Sequence, residues 1–276
     1  MKELFITFFM VIYLAPFAHS QSIAQKYDSE NKTGDLYLYW GWNRGWFTTS
    51  DIHFRGQDYD FTLSNVEAFD RQSSFEVDKY LNPQNATIPQ YNFRAGYFIN
   101  PKINLTFGID HMKYVVRQNQ LVNINGHIEG TETLYNRDYA NEMIQITDDF
   151  LKFEHTDGLN YVNFGVRRQD KLLSVGPVGL DALIGVEGGF LLPRTNSTLL
   201  SMERNDAFHL AGYGASGVVG LQISIFRNFF IQSEVKGGYI NLPDIRTTMS
   251  SIDKADQQFL FGQLNILFGG TLHLGH

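Results

Sequence analysis

The sequence predicts an all-β protein: a closed, antiparallel, up-and-down transmembrane β-barrel of eight strands, ten if one further hairpin joins the ring, carrying long loops at one end. Three observations predict it. Hydrophobicity alternates with a period close to two from Gly34 onward, and helical spacing is sustained nowhere. The alternating runs are about twice the ~5–6 residues of an ordinary strand, the length a strand needs to cross a bilayer at a tilt. Short and long connections alternate along the chain, as they do when a barrel keeps tight turns at one end and extended loops at the other. A soluble sandwich also alternates, but its polar face carries Lys and Glu. Here that face is rich in glycine and small polar residues, which suits a narrow closed interior.

Residues 1–20 read as a cleaved signal peptide: Lys2, an apolar run from Leu4 to Leu14, then Ala18-His19-Ser20 as a small-x-small cleavage pattern. Residues 21–33 form a short periplasmic segment before the barrel domain, 34–276. Strands fall near 34–42, 88–99, 103–117, 155–168, 177–194, 209–226, 229–242 and 257–274. In the third, Ile103, Leu105, Phe107 and Ile109 oppose Asn104, Thr106, Gly108 and Asp110; in the fifth, Ala182, Ile184, Val186, Phe190 and Leu192 oppose Asp181, Gly185, Glu187 and Gly189. Residues 100–102 and 227–228 make tight turns and 169–176 a modest one, while 43–87, 118–154, 195–208 and 247–256 are long and polar. Residues 50–69 alternate as well, and form either the extra hairpin or structure within the first loop. An even count puts both ends of the barrel at the short-turn rim.

Of 276 residues, 18% are charged, none is cysteine, and the formal charge is -7. That composition excludes disulfide scaffolds, Cys-ligated metals and thiol catalysis, and a nucleic-acid partner is not expected of an acidic chain. No Walker loop, dinucleotide fingerprint, His-Glu-x-x-His or Gly-x-Ser-x-Gly is present, so no cofactor and no metal centre are expected.

On this alternation, connection asymmetry and strand count, residues 34–276 resemble the small, eight-stranded outer-membrane β-barrel proteins of Gram-negative bacteria. The resemblance implies export through the periplasm to the bacterial outer membrane. It also implies contact with outer-membrane lipid and lipopolysaccharide, with an extracellular ligand reached through the loops. The chain departs from the family in its last residues, Thr271 to His276, where such barrels usually end on an aromatic residue.

Parity places seven ionisable residues inside the barrel: Arg94, Asp110, Arg167, Asp181, Glu187, Glu234 and Lys236. Four acids against three bases nearly cancel, which predicts a paired network, since unpaired charge in a closed interior costs several kcal/mol. Aromatic girdles are expected from Trp40, Trp42, Trp46, Tyr114 and Phe190 at the outer rim, and from Tyr97, Phe98, Phe226, Phe229 and Phe230 beside the short turns.

Three functional readings follow. The first is a structural or surface-binding envelope protein with a side-chain-filled polar interior. The second is an outer-leaflet lipid A acyl hydrolase or acyltransferase, for which His53, His111, His155, Asp157 and Ser50 are the candidate catalytic residues because they fall near the long-loop end. The third is a narrow ion or small-solute channel lined by the interior charges.

Overall fold

The structure is a computed structural model; it describes residues 33–274 apart from 86–88, 203, 204, 206 and 227, with only the backbone of Leu81, Pro83, Thr156 and Asp157. The expected signal peptide and nearly all of the short segment after it lie outside the described residues.

Eight strands form the ring: β1 (Leu36–Phe47), β5 (Tyr91–Phe98), β6 (Ile103–Val116), β9 (Leu151–Val175), β10 (Val178–Pro193), β12 (Gly212–Ile225), β13 (Phe229–Arg246) and β14 (Lys254–Leu272). Each pairs antiparallel with the next, and β14 returns to β1 in an unbroken register from Leu36 opposite Leu272 to Phe47 opposite Phe261. Closure removes the open edges that a sheet would otherwise expose to lipid. Outward positions are apolar over the middle of the ring: Ile184 is 58% exposed, Val186 67%, and Leu221, Val235, Leu264 and Ile266 are likewise uncovered. Such a wall is stable only against hydrocarbon, so the ring is a membrane-spanning barrel.

The short turns have local causes. Asn100 Oδ1 accepts from the backbone N–H of both Lys102 and Ile103 at 2.9 Å, an Asx-type turn. Gly176 supplies φ +57° before Pro177, so β9 runs on to Val175 and the β9–β10 connection is tight. The modest turn expected at 169–176 is therefore strand for most of its length.

The long connections are not loops in the ordinary sense. The first contains β2 (Ser50–Arg55), β3 (Tyr59–Val66), β4 (Ala68–Asp70) and a one-turn helix, α1 (Val77–Leu81); the second contains β7 (Leu121–Ile128) and β8 (Arg137–Gln145); the third contains β11 (Asn196–Leu199). The sequence-predicted ambiguity at 50–69 resolves as a hairpin, β2–β3, that lies off the ring. β14 forks: from Phe261 onward it pairs with β1, whereas Lys254 to Gln257 pair with β2, and the sheet continues through β3 and β7 to β8. Gly126, at φ +131°, sits where a Cβ would run into the backbone of Asp60 and Phe61, and it marks a register shift between β7 and β8. These strands and the upper ends of β6, β9, β13 and β14 enclose an apolar core that includes Ile52, Phe54, Phe61, Tyr114, Phe153, Ile240 and Phe259. The chain thus carries a folded extracellular head. At the usual strand rise β9 is roughly 80 Å long, far beyond the ~25 Å apolar band of a barrel, so the ring strands serve as walls of both parts.

Several expected girdle residues point inward instead. Tyr114 is buried in the head core, where its ring lies 4.9 Å from that of Phe259. Phe98 and Phe230 close the periplasmic end of the lumen with Tyr37, Tyr39 and Leu267. Gly96 makes room there, because a Cβ would overlap the Tyr37 ring. Trp46, Phe190, Tyr97, Phe226 and Phe229 are exposed as a girdle requires.

Candidate functional site: the barrel interior and the rim histidines

Successive inward positions on the ring strands bring six of the seven predicted interior charges into one cluster. Arg94 pairs with Glu187 and, at 3.4 Å, with Asp110. Arg167 holds Glu187 at 2.6 Å and Glu234 at 2.5 Å; Lys236 holds Asp110 at 2.5 Å and Glu187 at 2.7 Å. Three acids face three bases, and all six side chains are fully or almost fully buried. Arg167 is the partner of Glu234, while Lys236, two residues along the same strand, turns to other carboxylates. Asp181 stands apart, opposite Lys171 in the β9–β10 register.

Neutral groups complete the cluster. Glu234 accepts from Tyr39 Oη at 3.1 Å, Gln232 Nε2 at 2.5 Å and Asn265 Nδ2 at 3.3 Å. Glu187 accepts from Ser216 Oγ at 3.3 Å, and Asp110 from Asn163 Nδ2 at 3.2 Å. Both guanidiniums lie over the Tyr39 ring, 5.9 Å and 5.8 Å from its centroid. A buried ion pair repays its desolvation only when such extra hydrogen bonds saturate the carboxylates. Sequence reasoning missed Tyr39, Gln232, Asn163, Ser216 and Asn265. A usable signal existed for Gln232 and Asn163, which share the inward parity of a charged residue on their own strand, as in Gln232-x-Glu234-x-Lys236; Tyr39, Ser216 and Asn265 meet theirs only across the sheet, opposite Arg94, Glu187 and Glu234.

The candidate catalytic residues lie in the head or at its base and do not assemble into a nucleophile and base. His155 is buried between the rings of Tyr114 and Phe153, with Nδ1 3.1 Å from Thr195 Oγ1. It stands above the apolar band, and burial pushes its imidazole down to about 3, so it is neutral at ordinary pH. Asp157, two residues on, has no described side chain. His111 stacks on Tyr91 at 5.0 Å and its Nδ1 meets Asn160 Oδ1 at 2.8 Å. His53 and Ser50 line one groove, yet His53 is held by Asp256 on Nδ1 at 3.2 Å and by Asp60 on Nε2 at 2.9 Å. Ser50 Oγ lies 3.2 Å from Tyr114 Oη and 3.4 Å from Gln257 Oε1, with no histidine in reach. Among the described residues no group of three His, Asp or Glu side chains has metal-binding geometry.

No protein-family model matches the chain, and no curated protein matches it. Among solved structures the chain is similar to the outer membrane protein AlkL in lipid bilayers, at 11% identity over 97% of this chain and 99% of that one, with a TM-score of 0.41. It is also similar to the outer membrane protein OprG from Pseudomonas aeruginosa (11% identity, 89% and 99% covered, TM-score 0.36). A third is Ail, the attachment invasion locus protein of Yersinia pestis, in complex with the heparin analogue sucrose octasulfate (12% identity, 87% and 99% covered, TM-score 0.30). At such scores the fold assignment rests on the chain's own ring closure and lipid-facing band.

Proposed function

We propose that this barrel is a non-conducting outer-membrane scaffold that displays its head at the cell surface, as a structural or ligand-binding envelope protein. The observation that supports this reading is a lumen filled in three successive layers. At the periplasmic end stand the rings of Tyr37, Tyr39, Phe98 and Phe230; in the middle, the Arg94–Glu187–Arg167–Glu234–Lys236–Asp110 network; above it, the apolar core of the head. An eight-stranded barrel is narrow enough for its own side chains to fill it. A pore would need the central charges hydrated and free to exchange partners, whereas here each carboxylate is shared between a base and neutral donors. The outward faces of the head then do the work, in contact with lipopolysaccharide or an extracellular ligand.

Reconstitution into planar bilayers tests the proposal. The expected record is flat at both polarities. Discrete steps whose ion selectivity changes in Glu234→Gln would overturn it and favour the narrow-channel reading.

A further inference from the structure

Where β14 leaves β1 and takes up β2, the outward face of the head opens into a groove of about 630 Å³. That lies within the range of roughly 300–1,000 Å³ over which small-molecule sites occur. Its lining is neither apolar nor cationic. It is built from hydroxyls and amides, including Thr62, Asn241, Gln257 and Gln258, with the carboxylates Asp51 and Asp256 and the single guanidinium of Arg55.

One feature distinguishes it from an ordinary wet cleft. His53 is fixed from both sides by Asp60 and Asp256, each through Oδ1, and Arg55 Nη1 lies 3.6 Å from that same atom of Asp256. Each carboxylate keeps a second oxygen as an acceptor, held on a rigid frame.

The height of the groove identifies the ligand's surroundings. Toward the membrane on the same outward face, Tyr239 donates to Gln258 Oε1, and Asn241 Nδ2 donates to Tyr213 Oη at 2.9 Å. Those exposed tyrosines stand at the top of the apolar band, in the headgroup zone that such rings prefer. The groove therefore faces the layer in which outer-leaflet sugars stand. Asp51, Asp60 and Asp256 against Arg55 repel phosphate and sulfate, while paired donors and acceptors suit hydroxyl groups.

We propose that the groove at the β14 fork binds a neutral, hydroxyl-rich saccharide. The proposal rests on the scaffold reading above and gives the head its ligand class.

Saturation-transfer NMR on the detergent-solubilised protein tests it with maltotriose, lactose and chitotriose as free probes. Smooth lipopolysaccharide in nanodiscs serves as the lipid-borne probe and heparin fragments as the anionic one. Transfer to a neutral sugar, free or lipid-borne, is expected; the two arms separate a soluble glycan from a resident one. Heparin is expected to show none. Thr62→Trp, which fills the groove from a half-exposed position, should weaken the binding at least tenfold while leaving the unboiled gel mobility unchanged. Absence of transfer to every neutral probe, preference for heparin, or full binding by folded Thr62→Trp would overturn the proposal. Bilayer recordings on the same preparation separate the two readings: no sugar binding with a flat record removes this inference alone, and steady conductance removes the scaffold reading as well.

Discussion

The two halves of this barrel are packed in opposite senses by the same strands. In the membrane half of β13, the inward positions are Glu234 and Lys236 and the outward ones Ile231 and Val235; in the head half, Ile240, Leu242 and Ile245 turn inward, with Asn241 and Arg246 outward. β14 repeats the inversion, from Asn265 inside and Leu264 outside to Phe259 inside and Asp256 outside. Strand geometry does not change between the halves; the solvent does. Against lipid, the polar side of a pleated strand has only the lumen to face, whereas against water the apolar side must be covered. The difference teaches that parity along a strand fixes which residues share a face, and the medium outside fixes which face is apolar.

The largest effects should fall on the central charges and the head core, and they should separate the halves. Arg167→Leu leaves Glu187 and Glu234 short of a base in a buried site, so unfolding stability should drop by about 3–5 kcal/mol in urea titrations of the unboiled gel form. Phe153→Ala opens a hole in the head and should cost a similar ~3–5 kcal/mol, read as early proteolysis of the head while the barrel keeps its gel mobility. If each variant weakened both halves equally, barrel and head would be one cooperative unit and the division drawn here would fail. Next in size, Ile184→Arg or Leu221→Arg should impair insertion by about 2–4 kcal/mol near the bilayer midplane. Glu132→Arg at the exposed tip of the β7–β8 hairpin should be silent. Equal insertion yields for all three would remove the lipid-facing assignment.

Acid should act on the head through His155. The folded head binds that proton only near pH 3, the unfolded chain near 6.5. Stability from this group is present above the higher value and is lost as pH falls through the window, at up to about 1.4 kcal/mol per pH unit. Wild-type head protection in hydrogen exchange should therefore decline between those pH values more steeply than that of His155→Gln. The smallest effect belongs to the exposed Arg137–Glu142 pair at 2.9 Å, whose loss in Arg137→Gln should leave the calorimetric transition unmoved.

Much of the membrane half was legible in the sequence because each ring strand states its parity several times over. Runs such as Val178–Pro193 repeat the alternation often enough that an error of a residue or two at the ends changes nothing. Beyond the alternation at 50–69, the head was not legible, for the opposite reason. Its strands run from three residues in β4 to nine in β8, and they draw their stability from one another across long stretches of chain rather than from local pattern. Thr198, which reads as a polar loop position, sits in β11 opposite Lys152 of β9. The same limit explains the misplaced aromatics. Tyr114, Phe98 and Phe230 fit a girdle by chain position, but parity turns them inward, and bulges such as the register shift between Met112 and Tyr114 alter the count locally. The histidines were found at the correct end of the molecule. Their partners were not, since Asp256 reaches His53 across 203 positions of sequence.

The fork in β14 also sets the order in which the molecule can be completed. The ring seals when β14, the final ring strand in chain order, meets β1 across the seam, with His273 Nδ1 clasping Asp35 Oδ2 at 2.7 Å near its periplasmic end. The head needs the same strand, since β2 docks on Lys254 to Gln257 and brings β3, β7 and β8 with it. Until then the β2–β3–β7–β8 sheet has no ring strand to pair with. Contacts this distant in sequence form slowly. Closure of the cylinder and maturation of its crown thus become one late event, and a chain stalled before residue 254 forfeits both.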